Sequence, residues 1–339
     1  MTAGPRPDER PLLVGLRPLG LGDFLTAVPA YRALARAFPG HRRVLAAPAV
    51  LEPLARLTGA LDGVVDTAPL RPLPAPLRGA DLAVDLHGRG PASHRVLLAA
   101  GPRRLIAFAN PEIPGTESFP RWSDDEHEVV RWCRLLTESG APADPAELDL
   151  PLPPPPPPPG AAGATVVHPG AAYPARRWPP ERWSAVAAAE ASAGRRVVVT
   201  GGPDEVDLAA AVAQGAGLPP EAVLAGRTDL AGLAAVVAAA GRVACGDTGL
   251  AHLATALRTP SVVLFGPVPP SRWGPPPDRP WHRALWKGRS GDPHGRTPDP
   301  GLLEITADEV VEALSDLPPA NWVTKAAGNQ PHSAPEPAR

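Results

Sequence analysis

Short unbroken apolar runs alternate along the chain with stretches in which apolar residues recur every three or four positions. The first run, Pro11-Leu-Leu-Val-Gly-Leu-Arg17, predicts a strand buried on both faces. After a glycine-rich turn, Phe24, Val28, Tyr31, Leu34, Ala35 and Phe38 share one helical face, which predicts a helix over 23–38 stopped by Pro39-Gly40. Further strands are expected at 43–47, 63–66, 81–86 and 104–108, with helices at 50–57, 92–100 and 125–139. The pattern then restarts. Strands are expected at 165–168, 196–200, 222–224, 243–245 and 261–265, and helices at 180–193, 205–214, 229–240, from about Thr248, and at 306–314. Strands alternating with helices imply a parallel, doubly wound sheet in each half.

Between the halves lies Pro151-Leu152 and seven successive prolines before Gly160. Such a run forms neither helix nor central strand and predicts a stiff polyproline II spacer. The expected organisation is therefore a domain over 1–150, a linker over 151–160, a second domain over 161–317 and a disordered tail over 318–339.

Composition narrows the function classes. Basic and acidic residues number 33 and 35, for a net charge of −2, so nothing favours nucleic acid as a partner. Only two basic residues are lysines, and Ala, Pro, Gly and Arg dominate. This reads as coding bias, so many arginines need no functional explanation. Cys133 and Cys245 stand far apart with no metal spacing and read as two buried thiols in a reducing compartment. Residues 1–11 are polar and no apolar stretch approaches about 18 residues. The expected location is the cytoplasm, with at most peripheral contact at the inner face of the membrane.

The most specific chemistry lies at Val243 to Pro260. A strand ends at Cys245 and a helix begins near Thr248, which puts Asp247, Thr248, Gly249 and Leu250 at a strand's C-terminal edge and a helix N-terminus. Ligands bind there in open α/β sheets, and phosphate is favoured by free N–H groups and the helix dipole. Gly249 lets the backbone approach an anion closely. His252 shares that helix face. In the first half, Gly20-Leu-Gly-Asp23 follows the first strand, but Leu25 stands where a dinucleotide fingerprint needs its third glycine. Asp23 reads either as a helix cap or as a base facing a substrate hydroxyl. Arg176 is a candidate for neutralising a diphosphate, or a surface arginine. Glu205 is a candidate for ribose hydroxyls, or a residue serving its own helix N-terminus. His87 and Arg89, in Asp85-Leu-His-Gly-Arg89, are candidates for substrate contact, or a structural loop.

Asp247-Thr-Gly-Leu-Ala-His-Leu253, Thr259-Pro260 and Leu264-Phe-Gly-Pro267 together resemble the nucleotide-sugar motif of the family 9 glycosyltransferases, which include the bacterial heptosyltransferases. Gly22-Asp23, the Gly170-Ala171 turn followed by Arg176 and Trp178-Pro179, and Gly201-Gly-Pro-Asp-Glu205 match further family segments, so the resemblance runs over about residues 12–317. It implies a GT-B architecture, two Rossmann-like doubly wound parallel-sheet domains facing a central cleft. It also implies an inverting, metal-independent transfer from a nucleoside-diphosphate sugar to a glycan or glycolipid hydroxyl in cell-envelope synthesis, with no cofactor. Asp23 would be the base. Asp247, Thr248, Gly249, Leu250, His252, Arg176, Glu205 and Gly170 would bind the donor, and Gly22, His87 and Arg89 the acceptor. The alternatives are a catalytically silent nucleotide-sugar-binding protein and a Rossmann-type oxidoreductase or epimerase.

Overall fold

The computed structural model describes residues 10–153 and 156–319. The expected tail from 320 onward, and prolines 154 and 155 of the spacer, lie outside the described residues. The first half contains β1 (Leu12–Leu16), β2 (Arg42–Ala47), β3 (Gly63–Asp66), β4 (Leu82–Asp85) and β5 (Arg104–Ile106), with helices α1 (Leu21–Thr26), α2 (Val28–Ala37), α3 (Glu52–Leu57), α4 (Ala92–Ala99) and α5 (Glu128–Glu138). All its strands are parallel, in the order β3-β2-β1-β4-β5. The second half contains β6 (Thr165–His168), β7 (Val197–Val199), β8 (Arg242–Gly246), β9 (Ser261–Leu264) and β10 (His282–Leu285), again parallel, in the order β10-β9-β8-β6-β7. Its helices are α6 (Pro180–Ser192), α7 (Val206–Gly215), α8 (Leu230–Ala239), α9 (Gly249–Ala256), α10 (Pro270–Trp273), α11 (Pro300–Leu303) and α12 (Ala307–Ser315).

Each sheet has a Rossmann-like switch point, where the chain leaves a central strand for one side and returns on the other. In the first sheet it falls between the C-terminal ends of β1 and β4, in the second between those of β6 and β8. The central strands β4 and β9 are buried at every residue, which explains their unbroken apolar runs.

Three local expectations change. The helix expected over 23–38 is two helices, broken at Ala27, because Pro29 cannot donate into a continuing helix and instead opens α2. The strand expected over 222–224 shrinks to one bridge, Val223 beside Val199, after a 3₁₀ turn at Pro220–Ala222. β10 was not foreseen: His282-Arg-Ala-Leu285 sits among Pro, Arg and Trp with no apolar run to mark it.

The two halves share a core. Phe24 and Leu25 of α1 and Leu250 and Leu253 of α9 belong to one buried apolar cluster, and α1 packs directly on α9. Polar ties cross the same seam. Arg279 reaches the Asp149 carboxylate at 2.7 Å, and the Leu150 N–H donates to the Ala256 carbonyl at 2.8 Å. Cys133 and Cys245 are both buried free thiols.

Candidate functional site

The first switch point is built around Arg17, the residue after β1. Its guanidinium is fully buried. Nε donates to the Asp23 carbonyl at 2.5 Å, Nη1 to the Leu86 carbonyl, and Nη2 to Thr26 Oγ1 at 3.2 Å and Glu128 Oε1 at 3.1 Å. Its flat face lies 4.6 Å from the Trp132 ring centre. The Asp23 carboxylate stands 3.7 Å from Arg17 and keeps 30 % of its side chain exposed, so a proton has a way in and out. Asp23 is not the cap of α1. The N-cap is Gly20, and Asp23 sits inside the first turn, where an anion is favoured by the helix dipole. Burial lifts its pKa above the ordinary carboxylate range, Arg17 pulls it down and Glu128 pushes it up. His87, at the end of β4, has its pKa lowered by burial against the charge of Asp85, and it senses both Arg17 and Asp23. Its Nδ1 is buried without a protein partner. The Asp85 carboxylate holds this loop by accepting the His87 N–H at 2.9 Å and the His94 ring at 2.8 Å.

The second switch point carries Asp247, 6 % exposed, with the Arg176 guanidinium 3.7 Å away. Arg176 is thus paired and half-buried, not a solvated surface arginine. Burial raises the Asp247 pKa, Arg176 opposes it, and the charge of Asp23 adds to it. The two aspartates from opposite halves therefore feel each other. Thr248 is the N-cap of α9 by position, but its side chain makes no capping hydrogen bond, which leaves first-turn N–H groups to a ligand. Burial, with His127 adding, lowers the His252 pKa to about 4, so this ring is neutral near pH 7. It packs edge-on against Trp273, with centroids 5.8 Å apart. Glu205 turns back on its own loop, accepting the Gly202 N–H at 2.8 Å. Its carboxylate lies over Gly170, where an added Cβ would fall 2.0 Å from Oε1. Gly170 thus admits Glu205 to the β6 edge.

The two halves meet at their glycines. A Cβ on Gly22 would lie 2.9 Å from His252 Cδ2, and one on Gly249 would lie 2.8 Å from Leu21 Cβ and 3.1 Å from the Gly22 nitrogen. Gly249, expected to let a phosphate approach closely, also makes room for the other half. In this structure its missing side chain admits the partner helix α1, and the N-termini of α1 and α9 abut. Leu250 is 2 % exposed in the shared core, so its side chain packs. Arg89 stays apart. Its side chain is 66 % exposed, 3.9 Å from Asp124.

Sequence reasoning missed Arg17, Glu128, Arg131 and Trp132, which back Asp23. The only signal was position, an arginine at the end of a buried strand, and it was drowned by the arginine-rich composition. Among the described residues no group of three or more His, Cys, Asp and Glu could hold a metal ion, and no helix is long and apolar enough to cross a membrane.

The chain is similar to known proteins. The family model described as glycosyltransferase family 9 (heptosyltransferase) matches residues 120–287. Lipopolysaccharide heptosyltransferase 3 of Escherichia coli is 35 % identical over 129 residues, covering 38 % of this chain and 36 % of that protein. The chain thus matches less than half the length of that curated relative. The solved structure of ADP-heptose lps heptosyltransferase II of E. coli is 22 % identical with a TM-score of 0.69, covering 93 % of this chain and 99 % of that one. E. coli heptosyltransferase WaaC with ADP is 20 % identical with a TM-score of 0.65, covering 90 % and 99 %. At those identities the structural likeness establishes the GT-B fold of two Rossmann-like domains.

Proposed function

Because the chain belongs to glycosyltransferase family 9, we propose that it moves a sugar, heptose or a close relative, from a nucleoside-diphosphate sugar to a hydroxyl of a glycan or glycolipid. The observation that carries this reading is the abutting of α1 and α9, which sets Asp23 opposite the Asp247–His252 turn across the seam. In the proposed step the acceptor oxygen attacks the anomeric carbon while its proton passes to Asp23. The bond from that carbon to the diphosphate breaks, and the electron pair leaves on the nucleoside diphosphate. Attack from the face opposite the leaving group inverts the anomeric centre. Arg176 and the first-turn N–H groups of α9 receive the developing negative charge, so the step as written uses no metal and no cofactor. Gly22 and His87 flank the acceptor hydroxyl. Arg89 reaches only an outlying part of the acceptor. Glu205 meets the ribose through Oε1 while Oε2 keeps the Gly202 N–H.

The relatives' names place their acceptors in lipopolysaccharide, and the same acceptor class is proposed here, reached from the cytoplasmic side of the membrane. The test is release of nucleoside diphosphate from ADP-heptose and other nucleotide sugars, with and without a lipooligosaccharide acceptor. Acceptor-dependent release from ADP-heptose is expected. Tight donor binding without release from any nucleotide sugar would point instead to a silent binding protein.

A further inference from the structure

Behind Asp23 lies a buried charge cluster that no part of the proposed transfer step uses. It has two cations, Arg17 and Arg131, and one anion, Glu128. Glu128 Oε1 accepts from Arg17 at 3.1 Å and from Trp132 Nε1 at 2.8 Å, and Oε2 accepts from Arg131. All three charged side chains are at most 7 % exposed. Unmatched buried charge is costly, and this trio carries a net charge of +1 by itself. The nearest further anion is the Asp23 carboxylate, 3.7 Å from Arg17. The cluster is neutral only when Asp23 is ionised. Arg17 also fixes where Asp23 points. It binds the Asp23 carbonyl and the Thr26 hydroxyl of α1, the Leu86 carbonyl beyond β4, and Glu128 at the start of α5, so three elements are tied through one guanidinium.

We propose that Arg17 is the positioning residue of the Asp23 base, holding it as a carboxylate in a fixed orientation, and that Glu128 sets how much of the Arg17 charge reaches it. The inference rests on the reading of Asp23 as base. Other groups also face Asp23: the Gly20 N–H in its own turn, Tyr31 from α2, His87 from the β4 edge and Asp247 from the second half. None of them makes the contacts that Arg17 makes to both the carboxylate and the backbone of this turn.

The test is titration of the Asp23 carboxyl by ¹³C NMR in the full-length protein, with the signal assigned by its loss in Asp23→Asn. Arg17→Met removes the neighbouring cation, so Asp23 should titrate about one to three pH units higher. Glu128→Gln removes the competing anion and should move the titration downward. Arg17→Lys keeps the charge without the planar fork, so the titration should stay near that of the wild type. In the pH profile of sugar transfer, the acid limb should follow these shifts. A purely structural role for Arg17 would lower the rate and leave the titration where it was. If Arg17→Met does not fold, the downward shift in Glu128→Gln beside an unmoved titration in Arg17→Lys carries the test. An unchanged Asp23 titration in Glu128→Gln and in every folded Arg17 variant would overturn the proposal. Because the titration needs no turnover, shifted titrations in a protein that transfers no sugar would sink the functional reading and leave only the charge coupling of Arg17, Glu128 and Asp23.

Discussion

Gly249→Ala probes the seam most sharply. The added Cβ would sit 2.8 Å from Leu21 Cβ, 3.0 Å from Leu21 Cγ and 3.1 Å from the Gly22 nitrogen. Carbon atoms rest at about 3.5–4.0 Å, so α1 and α9 must part by about 0.7 Å or more. Two of the three neighbours are backbone or attached directly to it, so no side-chain rotation relieves the contact. Overpacking of this kind costs about 1–3 kcal/mol. Replacing glycine in a helix interior returns up to about 1 kcal/mol, but Gly249 is the first residue of α9 and returns less, which leaves a net loss of about 1–2 kcal/mol. For a chain of this size that is about 2–3 °C in Tm. Gly40→Ala is the control, since its Cβ would meet nothing within 4 Å. Gly22→Ala should behave differently. Its clash is with the His252 ring edge at 2.9 Å, which can turn aside, so stability should hold while ADP affinity falls. Scanning calorimetry and ADP titration calorimetry on the three variants read both quantities. If Gly249→Ala melts with the wild type and binds ADP unchanged, the two helices do not abut in solution and the site is not assembled as described.

Two further outcomes follow from buried titratable groups. The His252 pKa is depressed to about 4 from an ordinary value near 6.5, so its contribution to stability is full above about pH 6.5. That contribution is lost as pH falls toward 4 and amounts to about 3 kcal/mol at most. His252→Gln should therefore flatten the fall in urea-unfolding stability between pH 7.5 and 4.5; an unchanged slope would contradict the burial of this ring. His94 lies between the Asp85 carboxylate and the Phe108 carbonyl, each at 2.8 Å. With an acceptor at each nitrogen the ring carries two protons; burial opposes its charge, but these two bonds outweigh burial and raise its pKa. Asp85→Asn breaks this fully buried pair and should cost about 3–5 kcal/mol in chemical denaturation; a loss under about 1 kcal/mol would mean that the ring is neutral.

Most of the fold was legible because parallel strands buried on both faces write themselves as unbroken apolar runs, as in Leu12–Leu16 and Ser261–Leu264. What escaped was set by neighbours. β10 is a strand because β9 offers it a free edge, not because His282-Arg-Ala-Leu285 has strand character. The site was legible where glycine and aspartate mark strand-to-helix turns, at Gly22-Asp23 and Asp247-Thr-Gly249. It was illegible where the candidate site is built from contacts between distant segments. Arg17 meets Glu128 across 111 positions, and no spacing rule reaches that far. Gly249 was read as a point of close approach for an anion; that α1 also approaches there was not foreseen.

The central claim is that Asp23 takes the proton from the attacking hydroxyl, and Asp23→Asn tests it most directly. Asparagine keeps the shape, and the backbone carbonyl there still accepts from Arg17, but the side chain takes no proton. Loss of a positioned base lowers rates by about 10²–10⁴-fold. Steady-state transfer from ADP-heptose, measured beside calorimetric ADP affinity, should show kcat falling by that factor while ADP binding stays within a few-fold of wild type. Turnover near the wild-type rate with an acceptor that the wild type uses would contradict the account.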